Sequence, residues 1–168
     1  MIKFKLFGFT DNEGTSPART QEAATPDDST RTDGVGTPAV GKRVLIVDDE
    51  VIFLKITAGI LQSAGFHVRT AREGSAAIAA LGDQPVDSVL MDIEFAPDVC
   101  NGGMGSWDGF QIMSWLRGNP AARGVRFIMV SVSDSPAHHQ RAKQLGAVAY
   151  LHKPLDANQL LATLNVGN

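Results

Sequence analysis

The sequence predicts an α/β fold, with a five-stranded parallel sheet and helices on both faces. Two observations carry this. From Lys42 onward, five short apolar runs alternate with longer segments of helical periodicity. Four of the five runs end in chemically pointed residues: Asp48-Asp49, Asp92, Ser131 and Lys153-Pro154. Repeated strand–helix units require right-handed crossovers, which place helices on both sides of a parallel sheet.

The elements follow in order. Arg43 to Val47 is the first strand, and a helix runs from about Glu50 to Ala64, stopped by Gly65. Phe66 to Thr70 reads as the second strand. Glu73 to Leu81 reads as a helix ended by Gly82. Val86 to Met91 is the third strand. The third helix starts near Asp108-Gly109 and ends by Gly118-Asn119-Pro120. Val125 to Val130 is the fourth strand, and Pro136 opens a fourth helix that stops at Gly146. Ala147 to Leu151 is the fifth strand, and Asp156 caps a last helix reaching about Asn165. On the first helix, Phe53, Ile56, Ile60 and Leu61 suffice for a core-facing stripe, which leaves Val51 and Ile52 as surplus apolar residues. His138-His139 reads as a solvated pair, because adjacent helix positions do not face each other.

Composition narrows the function. The chain has 168 residues, 43% hydrophobic and 20% charged, which suits one globular domain plus an appendage. A formal charge of −3 argues against nucleic acid as a direct partner. The single Cys100 cannot form an internal disulfide, and a reducing cytoplasm is expected. No apolar run approaches the ~20 residues needed to span a membrane. Residues 1–41 are expected to be a disordered extension, since 10–41 is rich in Thr, Ser, Pro, Gly and Asp. Residues 2–9 alternate aliphatic, lysine and aromatic side chains, a pattern that fits either an untidy terminus or a short docking motif on a tether. Nothing but one helix follows the fifth strand, so output is expected through binding of other proteins.

The acids carry the chemistry. Asp48, Asp49 and Asp92 at neighbouring strand ends would crowd like charges, so they need a cation. Hard carboxylate oxygens suit Mg²⁺. With the hydroxyl of Ser131 and Lys153-Pro154, they form a constellation for phosphoryl transfer.

This ordered set resembles the receiver domain of two-component response regulators. The matching residues are Val47-Asp48-Asp49-Glu50, Leu90-Met91-Asp92-Ile93, Asp108-Gly109-Phe110, Met129-Val130-Ser131, Leu145 to Leu151 and Lys153-Pro154. The resemblance covers about Lys42 to Asn165, and residues 42–168 are taken as the receiver domain. It implies a flavodoxin-like (βα)5 three-layer sandwich with strand order 2-1-3-4-5, its site at the switch between the first and third strands. It further implies that Asp92 accepts a phosphoryl group from a histidine kinase or histidine phosphotransferase. Asp49, Asp92 and the backbone carbonyl of Glu94 would bind Mg²⁺, and Asp48 would act through water. Lys153 would pair with Asp92 and then with the phosphate, after a cis Lys153-Pro154 bond that turns it inward. Ser131 would hydrogen-bond the phosphoryl group, and Tyr150 would act with it as a switch toward a downstream protein target. The family's donor-facing helix corresponds to Glu50–Ala64, where Val51 and Ile52 fit docking or, equally, packing under the N-terminal segment or in a dimer.

Three departures stand out. Asp108-Gly109 follows Asp92 later than usual, by an insertion at roughly 98–107 that contains Asn101-Gly102-Gly103-Met104-Gly105. Val132 stands where many receivers carry alanine or glycine, and Glu94 adds an acid. Both bear on phosphoryl lifetime. The alternative reading is a pseudo-receiver, an interaction module without phosphoryl turnover. A haloacid dehalogenase-type phosphohydrolase needs Asp-x-Asp, where this chain has Asp92-Ile93-Glu94. A flavodoxin wants a Ser/Thr/Gly phosphate loop where this chain has two acids.

Overall fold

A computed structural model describes residues 41–94 and 108–166. The extension at 1–40 and the insertion at 98–107 lie outside the described residues. The strands are β1 (Arg43–Val47), β2 (His67–Ala71), β3 (Ser88–Asp92), β4 (Arg126–Ser131) and β5 (Ala149–His152). The helices are α1 (Val51–Ser63), α2 (Gly74–Asp83), α3 (Gly109–Arg117), α4 (Pro136–Gln144) and α5 (Ala157–Asn165). All strand pairs are parallel, in the order β2-β1-β3-β4-β5. The flavodoxin-like (βα)5 architecture and its strand order stand as expected.

The two-residue period of the strands separates two cores. Leu45, Val47, Val89, Met91, Phe127 and Met129 pack with α2, α3 and α4. Val44, Ile46, Leu90, Ile128 and Val130 pack with α1 and α5. Strand β3 is buried along its whole length, so Asp92 ends a central, doubly covered strand.

Several details differ from the sequence expectation. Gly82 lies inside α2, which runs on to Asp83, because neighbouring alanines and leucines pack the helix onto the sheet and override the glycine. Leu54, Thr57 and Leu61 are the buried residues of α1, whereas Ile56 is 59% exposed. Phe53, Ile60 and Leu61 pack on the core as expected, and Leu54 and Thr57 stand in place of Ile56. A short 3-10 turn, Pro120–Ala122, was not anticipated. His138 and His139 are engaged with neighbours: His138 is edge-on to Phe110, and His139 lies on Tyr150 with ring centroids 4.0 Å apart. At Gly65, φ of 88° gives the left-handed turn that ends α1.

Two carbonyls at the end of α5, Thr163 O and Leu164 O, accept from the Arg126 guanidinium at 2.8 and 3.1 Å. Helix α4 is the least apolar of the set, with Ala142 its one buried residue. No helix among the described residues is long and apolar enough to cross a membrane.

Candidate functional site

Sheet register brings the site together. Val47 pairs with Met91, so the next residues, Asp48 and Asp92, leave the sheet side by side. On the other side of β3, Ser131 pairs with His152, and Lys153 N donates to Ser131 O at 2.8 Å. Parallel strands point their carboxyl ends the same way. Residues at the ends of β1, β3, β4 and β5 therefore share one edge.

Asp48, Asp49 and Asp92 each offer a carboxylate oxygen, all within 4.8 Å of one another. Asp48 and Ser131 are fully buried, and Asp92 is nearly so. Lys153 Nζ lies 2.5 Å from Asp48 Oδ2 and 3.2 Å from Asp92 Oδ1. Asp48 Oδ1 accepts from Glu50 N at 2.9 Å, so this acid also tethers the start of α1. Its Oδ2 meets the ammonium as an ion pair but accepts no aligned hydrogen bond, which leaves acceptor capacity in a buried place. The Lys153-Pro154 peptide is cis.

Burial drives the electrostatics. Desolvation pushes the Asp92 carboxyl from 3.8 up to about 6; the Lys153 ammonium opposes this and the Asp48 carboxylate adds to it. Burial works against the charge of Lys153, yet Asp48 and Asp92 outweigh it and hold the lysine above its usual value. The Lys153 ammonium thus pairs with Asp48 and Asp92, and Asp49 lies close to both acids. A hard dication fits three carboxylate oxygens grouped in this way.

Phe53, expected in the core by its spacing, packs against it and also reaches this site. Lys153 Nζ sits 4.3 Å above its ring centroid. Its position one turn into the helix after Asp48-Asp49 was the available signal. The second such residue is Gly109. A Cβ there would lie 1.8 Å from the Asp92 carbonyl oxygen, so only glycine lets α3 start against the strand end. Gly109 N donates to Ile93 O at 2.9 Å. The chain thus leaves at Glu94 and returns at Asp108 beside the acid cluster.

Ser131 Oγ accepts from Ser133 N at 2.9 Å. The Tyr150 hydroxyl donates to Ser133 O at 2.5 Å. Burial raises the Tyr150 phenol, and the Ser131 hydroxyl opposes that rise. His152 Nε2 lies 2.9 Å from Val132 O, and His139 Nε2 2.6 Å from Asp134 Oδ1. Tyr150, His139 and His152 together strap the β4–α4 loop. Val132 points out, 59% exposed, and Glu94 is exposed as well.

Comparison with known proteins agrees with this geometry. Residues 44–165 match the sequence pattern of the family described as response regulator receiver domain. The transcriptional regulatory protein GltR of Pseudomonas aeruginosa is 29% identical over 126 residues, which are 75% of this chain and 48% of GltR. The chain therefore spans about half the length of that relative. The polar-differentiation response regulator DivK of Brucella ovis is 25% identical over 123 residues, 73% of this chain and 93% of DivK. Among solved structures, chemotaxis protein CheY4 of Vibrio cholerae superposes with a TM-score of 0.65 at 28% identity, covering 74% of this chain and 97% of CheY4. Phosphorylation and Mg²⁺ binding at an acidic cluster are general to such domains, as is interaction with kinases, phosphotransferases and downstream targets. With the acids, lysine and hydroxyl of the family's pattern gathered at one sheet edge, the chain belongs to the response regulator receiver family.

Proposed function

We propose that this receiver takes a phosphoryl group from a phosphohistidine onto Asp92 and signals by binding other proteins. The observation that carries the proposal is the cluster of Asp48, Asp49 and Asp92, with carboxylate oxygens within 4.8 Å of one another, and the Lys153 ammonium paired with Asp48 and Asp92. The donor is a histidine kinase or a histidine phosphotransferase. An Asp92 carboxylate oxygen attacks phosphorus, the P–N bond breaks, and the donor imidazole leaves with a proton from solvent. A carboxylate needs no base for this, so catalysis is mostly positioning and charge neutralisation.

Asp49, Asp92 and the backbone carbonyl of Glu94 would hold Mg²⁺, with Asp48 acting through water, and the bound ion would supply positive charge against the phosphoryl oxygens. Lys153 gives up one of its carboxylate partners for a phosphoryl oxygen. Ser131 releases the Ser133 amide to bind another, and Tyr150 follows the loop it now holds through Ser133 O. Hydrolysis reverses the change when water attacks the acyl phosphate. The exposed Val51, Ile52 and Ile56 on α1 form an apolar face suited to a helical donor, beside the acid cluster. Residues 42–168 act as the receiver domain and 1–41 as an extension whose segment 2–9 docks a partner. A cytoplasmic location fits this chemistry and the lone cysteine.

The test is direct. Incubation with Mg²⁺ and a small-molecule phosphodonor should add one phosphoryl group by intact mass, stable to acid and labile to base. Asp92→Asn should stay unmodified. A stoichiometric gain in Asp92→Asn would remove Asp92 as acceptor, and no gain in the wild type would favour a pseudo-receiver.

A further inference from the structure

Arg141 lies on α4, yet its guanidinium reaches the segment beside the acceptor. Nη1 donates to Asp108 Oδ2 at 2.9 Å, and Cζ sits 4.5 Å above the Phe110 ring centroid. Asp108 is the N-cap of α3. Its Oδ1 accepts from Gln111 N at 2.8 Å, and Asp108 N donates to Gln111 Oε1 at 2.9 Å. The next residue, Gly109, is the one wedged against the backbone of Asp92 and Ile93. A slip in the first turn of α3 therefore moves the backbone that carries Asp92 and leads to Glu94.

We propose that Arg141 is a positioning residue for phosphoryl acceptance: from α4 it clamps the N-cap of α3 and so holds the Asp92–Glu94 backbone in its receptive arrangement. The inference rests on Asp92 and Glu94 having the roles given above. Arginine suits the task, because its planar fork grips a carboxylate while its face lies on an aromatic ring. Phe110 is buried and itself held edge-on by His138. An exposed ion pair alone contributes little. Here the capping box fixes Asp108 and the ring fixes Arg141 in advance, so little side-chain freedom is lost on pairing. The clamp also ties α4 to the acceptor by a path separate from Ser131 and Tyr150.

The test uses the full chain with Arg141→Met, Arg141→Lys, Asp108→Asn and the double variant Arg141→Met/Asp108→Asn. Methionine keeps an apolar stem over Phe110, and asparagine still caps a helix. Three quantities are read: amide hydrogen exchange at Gly109 without metal, Mg²⁺ affinity by tryptophan fluorescence, and acyl phosphate formation against phosphodonor concentration. Arg141→Met and Asp108→Asn should each speed Gly109 exchange about tenfold. Each should weaken Mg²⁺ binding about three- to tenfold and lower the maximal rate without changing donor saturation. The double variant should be no worse than either single one, and lysine should restore part of the loss. Exchange and Mg²⁺ affinity within about twofold of wild type in Arg141→Met, or additive losses in the double variant, would overturn the clamp. If the wild type takes neither Mg²⁺ nor phosphate, the reading of the site fails. Gly109 exchange still decides whether Arg141 holds the start of α3.

Discussion

Asp92 is costly as a buried carboxylate, and the cost has a sign. Its folded-state carboxyl titrates at about 6 against 3.8 in the unfolded reference, so the folded chain binds that proton more tightly. The stability it contributes is complete below about pH 4, is lost progressively as pH rises to about 6, and amounts to roughly 3 kcal/mol in all. Asp92→Asn should therefore be more stable than wild type at pH 8 without Mg²⁺, by about 1–3 kcal/mol in urea unfolding. The gain should fall by about half at pH 5 and shrink again with saturating Mg²⁺. A gain that is independent of both pH and Mg²⁺ would show that charge burial is not its source. Asp49 makes a complementary case. Mg²⁺ keeps several waters and takes few protein ligands, so Asp49→Ala should weaken Mg²⁺ binding by more than about tenfold in a calorimetric titration. Unchanged affinity would place the metal elsewhere.

The helices divide into anchors and movable parts. Helix α1 buries Leu54, Thr57 and Leu61 while Ile52 and Ile56, one turn apart, face outward. Leu54→Ala should cost about 2–4 kcal/mol by denaturant unfolding, because it opens a cavity in the core. Ile56→Ser should change stability by less than about 0.5 kcal/mol yet slow phosphoryl transfer from a phosphohistidine protein. Its rate with a small phosphodonor should stay the same. Equal transfer rates from the protein donor in wild type and Ile56→Ser would mean that donors dock elsewhere. Helix α4 is the counterpart. With Ala142 its one buried residue, it is held largely by polar and ring contacts through His139, Arg141 and the β4–α4 loop. Contacts of that kind exchange at small cost.

At the scale of the whole chain, the two apolar layers among the described residues run from Val44 to Leu164. A truncation starting at Lys42 should accept phosphate at the full-length rate. Residues 2–9 carry Phe4, Leu6, Phe7 and Phe9 with Lys3 and Lys5, the composition behind the docking role proposed for them. Partner capture or localisation should therefore fall in the truncated protein. Lost phosphorylation would show that the domain begins earlier, and unchanged partner binding would leave residues 1–41 without that role.

The strand–helix alternation and the order of the site residues were determined by sequence alone. Strand ends in a parallel sheet share one edge, so Asp48, Asp49, Asp92, Ser131 and Lys153 could be grouped from their places in the chain, with the strand order drawn from family resemblance. What lay beyond the sequence was whatever depends on approach between distant segments. The turn of α1 that faces the core was misjudged at Ile56, because a helix with apolar residues on several sides has no single readable stripe. Gly82 resembled a helix stop, and only packing onto the sheet shows that it is not one. Phe53 over Lys153, Gly109 against the Asp92 carbonyl, and Arg141 on Asp108 join residues from 17 to 100 positions apart; pairings at that distance are decided by the packed tertiary structure, since no local pattern encodes them.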